Sequence, residues 1–108
     1  MTVKQLIDIC GFTAAALPDP DREVSGVYIG DLLSWVMGRA SADEAWITIM
    51  SNRNIVAVAT LADTACTILA EGVSPDEGVA DLATEKGINI LQSDLSAYEI
   101  ALRLRDAL

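Results

Sequence analysis

The sequence predicts an α/β domain with three α/β/α layers around a mainly parallel sheet, and three observations carry that reading. Short, branched, apolar runs alternate with helix-length segments from residue 45 onward. Right-handed crossovers turn such a pattern into parallel strands with helices on both faces. The helix ends are punctuated, by Ser74-Pro75-Asp76-Glu77, by Gly87 and by Ser96-Ala97-Tyr98-Glu99. Finally, 108 residues that are 52% hydrophobic can bury roughly two-thirds of their unfolded surface, a core that needs neither metal nor disulfide. We expect one domain over residues 1–108.

Taken in order, Thr2 and Gln5 can cap a short helix that Gly11 ends, and Pro18-Asp19-Pro20-Asp21 reads as a turn. Glu23 to Ile29 is a strand candidate. Asp31 is placed to cap a helix that carries Leu32, Trp35 and Val36 into the core, followed by a polar connection from Gly38 to Glu44. Ala45–Met50 reads as a strand, Asn54–Ala65 as a helix and Cys66–Ala70 as the next strand. The helix from Asn54 is apolar almost all round, so it is either deeply buried or a subunit seam. Ser74, Pro75 and Glu77 give the next helix an N-cap, a first-turn proline and a capping box. It carries Val79, Leu82 and Ala83 inward and stops near Lys86, before a left-handed Gly87. Ile88–Leu91 is the composition of a buried strand. Ser96 and Glu99 then open a final helix with Ile100, Ala101 and Leu104 inward, and Arg103 and Arg105 near its negative end.

Composition excludes several function classes. The 16 acidic and 7 basic side chains give a net charge of -9, a field that repels phosphate backbones, so no nucleic-acid partner is expected. Without histidine, imidazole bases, Ser-His-Asp and Cys-His nucleophile systems and histidine-ligated metals are absent. No Gly-x-x-x-x-Gly-Lys-Ser/Thr loop occurs, and Gly26-Val27-Tyr28-Ile29-Gly30-Asp31 lacks the third glycine of a dinucleotide fingerprint. Catalysis and a resident cofactor are not expected. Cys10 and Cys66 sit among apolar neighbours and read as buried thiols. The start lacks the pattern of a signal peptide, and the longest apolar run, Ile55–Ala62, is too short to span a membrane. A cytoplasmic location with no membrane partner is expected.

Ligands of open parallel sheets sit beyond the carboxyl ends of the strands. Three loops belong there: Ser51-Asn52-Arg53-Asn54, Glu71-Gly72-Val73-Ser74 and Gln92-Ser93-Asp94, joined by Gly30-Asp31. They offer helix N-terminal amides, one guanidinium and small polar side chains, a cradle for an anionic metabolite or a nucleotide. For Arg53 the competing reading is a surface ion pair. Asn54 and Ser74 are accounted for as helix caps. Asp31, Glu71 and Asp94 could converge on a metal or on acid-base chemistry, but negative charge at helix starts and in a solvated turn explains them more simply. Trp35 and Trp46 read as core or interface aromatics.

From about Gly26 to Leu108 the chain resembles the DRTGG domain family. The resemblance rests on Gly30-Asp31-Leu32-Leu33-Ser34, Trp46-Ile47-Thr48-Ile49, Asn52-Arg53-Asn54-Ile55 and the turns opened by Ser74, Gly87 and Ser96. Where the family has its eponymous Asp-Arg and Thr-Gly-Gly, this chain has Asn52-Arg53 and Ala70-Glu71-Gly72. The resemblance implies a three-layer α/β/α module similar to the N-terminal domain of HPr kinase/phosphorylase. Such modules accompany CBS domains in regulatory pyrophosphatases and precede phosphotransacetylases, where the resemblance implies a regulatory or dimer-forming role. The function expected is a non-catalytic sensor of a small anionic or nucleotide ligand, working as a homodimer. The alternative is a protein-interaction or dimerisation subunit with a partner protein and no small ligand.

Overall fold

A computed structural model describes residues 1–108. The chain runs α1 (Val3–Cys10), β1 (Thr13–Ala16), β2 (Gly26–Ile29), α2 (Leu33–Arg39), β3 (Glu44–Thr48), α3 (Asn54–Ala62), β4 (Cys66–Leu69), α4 (Val79–Lys86), β5 (Ile90–Gln92) and α5 (Ala97–Ala107). The strands lie in the order β1-β5-β4-β3-β2. The last four are parallel to one another, and β1 joins β5 antiparallel. The predicted three-layer α/β fold is present.

Alternation along the central strands divides the interior into two cores, because successive side chains point to opposite faces. Ala45, Ile47, Cys66, Ile68 and Leu91 meet Leu6, Ile100 and Leu104 of α1 and α5. Trp46, Leu69 and Ile90 meet Val36, Ile55, Ala59 and Ala83 of α2, α3 and α4. The helix at 54 is therefore chiefly core, with five of its residues buried, while Leu61 on its outer side is 73% exposed.

Two capping boxes form as predicted, Thr2 with Gln5 and Ser96 with Glu99. Removing one by Ser96→Ala should cost about 1 kcal/mol, read as a lower urea midpoint. Gly87 ends α4 in the left-handed conformation the sequence calls for. Elsewhere tertiary contacts override the local signals. Ser74 does not cap α4, which starts only at Val79 behind a left-handed Gly78. The Asp76 amide donates to Ser51 O and its carboxylate accepts from Ser51 Oγ, which holds residues 74–77 as a loop. Asp31 does not cap α2: its Oδ1 accepts from Thr48 Oγ1 at 2.7 Å and from the Ile49 amide at 3.0 Å. Asn54 is the first residue of α3 rather than its cap, and its amide donates to Asn52 Oδ1. That helix ends at Ala62 instead of Ala65, because Asp63 is left-handed. Leu32 and Trp35, expected inside, are 60% and 52% exposed, since only Leu33 and Val36 of α2 face the sheet.

Both cysteines are free and buried. Burial pushes the Cys66 thiol up to about 12, with Arg22 pulling weakly the other way. The folded state therefore keeps a proton that the unfolded thiol loses near its ordinary value of 9.0. Its contribution to stability is complete below pH 9 and drains away as pH rises toward 12. We expect an alkaline fall in stability over that window that is shallower in Cys66→Ala; identical pH profiles for the two proteins would refute this.

Candidate functional site

The carboxyl ends of β4 and β5 open into a cavity of about 430 Å³. The chain builds it from both ends of its sequence. Gly72 and Ser74 come from the loop after β4, and Gln92, Ser93 and Asp94 from the end of β5 and the loop after it. Cys10, Gly11 and Thr13 come from the α1–β1 turn, and Arg103 from α5. Antiparallel pairing places Thr13 opposite Gln92, which is why the α1–β1 turn reaches this end of the sheet.

The floor is held by cross-loop hydrogen bonds. The Glu71 amide donates to Leu95 O at 2.8 Å and the Gly72 amide to Ser93 O at 2.9 Å. Gln92 Nε2 donates to Val73 O and to Ser74 Oγ, and the Leu95 amide donates to Ser93 Oγ. Gly72 has φ +75°, a left-handed conformation that favours glycine, and an added Cβ would stand 3.2 Å from Asp94 Oδ1, so that side chain would also have to shift. Gly72→Ala should distort the loop and cost about 1 kcal/mol or more, measurable by denaturation. The Glu71 and Gly72 amides, expected to cradle an anion, are thus committed to carbonyls. Binding capacity at this cavity lies in side chains instead.

The cation is Arg103. Its Nη1 donates to Cys10 O at 2.8 Å, and it takes part in none of the four salt bridges. A guanidinium has five N–H donors in a planar fork, so Arg103 keeps donors free at the cavity. Burial raises the Cys10 thiol, while Arg103 draws it down. Around this cation stand the hydroxyls of Thr13, Ser74 and Ser93 and one carboxylate, Asp94. The set suits an oxyanion with hydroxyl or amide groups attached.

The structure brings Gly72, Ser93 and Asp94 together, with Glu71 beside them. It does not bring the other expected residues to this cavity. Gly30 and Asp31 serve the sheet: Gly30 O accepts from Trp46 Nε1 at 2.8 Å, and Asp31 clasps Thr48. Ser51 ties its loop to Asp76, Asn52 accepts from the Asn54 amide within its own loop, and Arg53 and Asn54 line a separate groove between α3 and α4. Sequence reasoning placed Gln92 in one of its ligand loops but missed Cys10, Gly11, Thr13 and Arg103 as cavity residues. For Arg103 a signal existed, since it lies three residues after buried Ile100 and beside buried Leu104, at the border of the inward stripe.

Fold and cavity together define an α/β/α module with one polar, cation-bearing recess at the carboxyl end of its sheet. The chain belongs to the DRTGG domain family, whose model matches residues 18–107, a span that begins earlier than the resemblance from Gly26. No curated protein matches it by sequence. In structure it is similar to the CBS and DRTGG domains of the regulatory region of Clostridium perfringens pyrophosphatase, complexed with the activator diadenosine tetraphosphate. The TM-score is 0.76 at 13% sequence identity, covering 99% of this chain. The chain spans 47% of the length of that structure.

Proposed function

We propose that this chain is a non-catalytic regulatory module that senses a small anionic or nucleotide ligand in the cavity between β4, β5, α1 and α5. The observation that carries the reading is Arg103, a guanidinium in no salt bridge, at a recess of hydroxyl and amide side chains with a single carboxylate, Asp94. Family membership supports it, as does likeness to a regulatory region that binds a dinucleotide activator. Fold alone does not assign a ligand, so the cavity chemistry bears the weight. The module acts as a unit over 1–108, in the cytoplasm; no helix is long and apolar enough to cross a membrane.

The test is titration with inorganic phosphate, ATP and diadenosine tetraphosphate, followed by backbone amide chemical shifts. Shifts should centre on Gly72, Ser93 and Asp94, and Arg103→Gln should weaken binding about tenfold or more, as loss of a charge-assisted contact of ~1.5–3 kcal/mol requires. An affinity unchanged by Arg103→Gln, or no binding of any of the three, defeats the proposal.

A second reading, self-association through the β2 edge, is favoured by exposed apolar side chains there. Ile29 is 52% exposed, Leu32 60% and Trp35 52%, with the Arg39 guanidinium stacked 3.7 Å above the Trp35 ring. An unpaired edge beside such a patch suits an isologous homodimer. Native mass spectrometry should show a dimer that Trp35→Glu dissociates; a monomer at all concentrations retires it.

A further inference from the structure

On the opposite helical layer from the cavity, α3 and α4 bound a groove of about 510 Å³. Its apolar wall is Val56, Ala57, Leu61 and Leu82, and its two basic residues are Arg53 and Lys86. Both helices return antiparallel to the strands they connect. The start of α3 is therefore at the carboxyl end of the sheet and the end of α4 at the amino end, so the two cations mark opposite ends of the groove. Between them α3 extends nine residues, roughly 13 Å or two and a half turns of helix.

Structural duties do not account for this arrangement. Neither cation forms a salt bridge, although acidic residues outnumber basic ones 16 to 7 in the chain. Lys86 in the last turn of α4 gains from the helix dipole. Arg53 loses by it, because it stands at the N-terminal end of α3, where positive charge is disfavoured. Leu61 meanwhile leaves 73% of its surface in water. An unpaired cation at the wrong end of a helix, a second at the far end and an uncovered leucine near that second one all have one complement.

We propose that this groove docks an acidic amphipathic helix of a partner protein, two to three turns long, with its apolar stripe on Leu61 and Leu82 and a carboxylate at each end for Arg53 and Lys86. This is helix-in-groove recognition, in which apolar anchors supply contact and terminal charges fix register. The net charge of the chain does not prevent it. At physiological salt, fields beyond about 8 Å are screened, while the two cations act at contact range.

The test uses the full chain and three synthetic helical peptides: one with leucines at helical spacing and glutamates at both ends, one with lysines in place of the glutamates, and one scrambled. The glutamate peptide should shift the amides of Val56, Ala57, Leu61 and Leu82, and the other two should not. In the folded double variant Arg53→Glu, Lys86→Glu the glutamate peptide should bind at least tenfold more weakly and the lysine peptide should now bind. Leu61→Ser should weaken both pairings. Equal binding of glutamate and lysine peptides, shifts confined to the β5 cavity, or no exchange of preference in the double variant would overturn the proposal. So would concentration-dependent shifts of the same amides without peptide, which would make a second copy of the chain the occupant.

Discussion

Trp46→Ala is expected to be the most damaging single change in the chain, lowering stability by about 3–5 kcal/mol, as loss of a buried tryptophan does. Trp46 is fully buried in β3 and fills the core beneath α2, α3 and α4. Domains of this size have roughly 5–15 kcal/mol in hand, so a large share of the total goes. The indole also ties sheet to loop, since its Nε1 donates to Gly30 O at 2.8 Å. Trp46→Phe separates the two duties: the ring volume is mostly kept, the carbonyl is stranded, and the loss should fall to about 1–3 kcal/mol. Urea denaturation of the three proteins checks the order. An alanine variant as stable as the phenylalanine one would show that packing at Trp46 counts for little.

The second large effect is expected at Asn89, the most connected buried polar side chain. It is 2% exposed. Its Oδ1 accepts from the Asp19 amide at 3.0 Å, and its Nδ2 donates to Asp19 O at 2.8 Å and Ala65 O at 3.0 Å. One amide thus pins the turn after β1 to the amino ends of β4 and β5. Asn89→Leu keeps the volume but leaves backbone groups without partners, at about 2–4 kcal/mol. Asp19→Ala is the control. Its bonds to Asn89 are backbone bonds, so that variant should stay within about 0.5 kcal/mol of the parent. If both variants fell equally, the turn itself and not the amide would be the source.

What could be read in advance followed the strength of local physics. Periodicity and caps placed the parallel strands and their helices, because Ile47, Ile68 and Leu91 must be buried wherever the loops go. The strand β1 was invisible, being Thr-Ala-Ala-Ala, a run with little β-propensity that is recruited by the edge of β5. Two caps failed for a common reason: Asp31 and Ser74 carry the right side chains, but Thr48 and Gln92 offer partners that only folding brings near, whereas Asn54 yields locally, its amide taken by Asn52 Oδ1 two residues before. The candidate site was half legible for the same reason. Loops on adjacent strands, after β4 and β5, could be expected to meet. Thr13 enters through the pairing of β1 with β5, which leaves no mark at one position in the sequence, while Arg103, marked only by its place at the border of the inward stripe of α5, reaches the cavity through the packing of α1 on α5.

That pairing sets a timetable for the chain on the ribosome. The first strand made has its place only beside the last, so Phe12 and Ala16 emerge with no sheet to join and wait until Ile90 and Leu91 have been translated. At roughly 5–20 residues per second that interval is on the order of several seconds. Throughout it β2, β3 and β4 can assemble while the open edge of β4 waits for β5, on which β1 is then seated. The recess at that edge is thus the last part of the molecule to exist, and a chain halted before β5 would carry Arg53 and its groove but no trace of the cavity at Arg103.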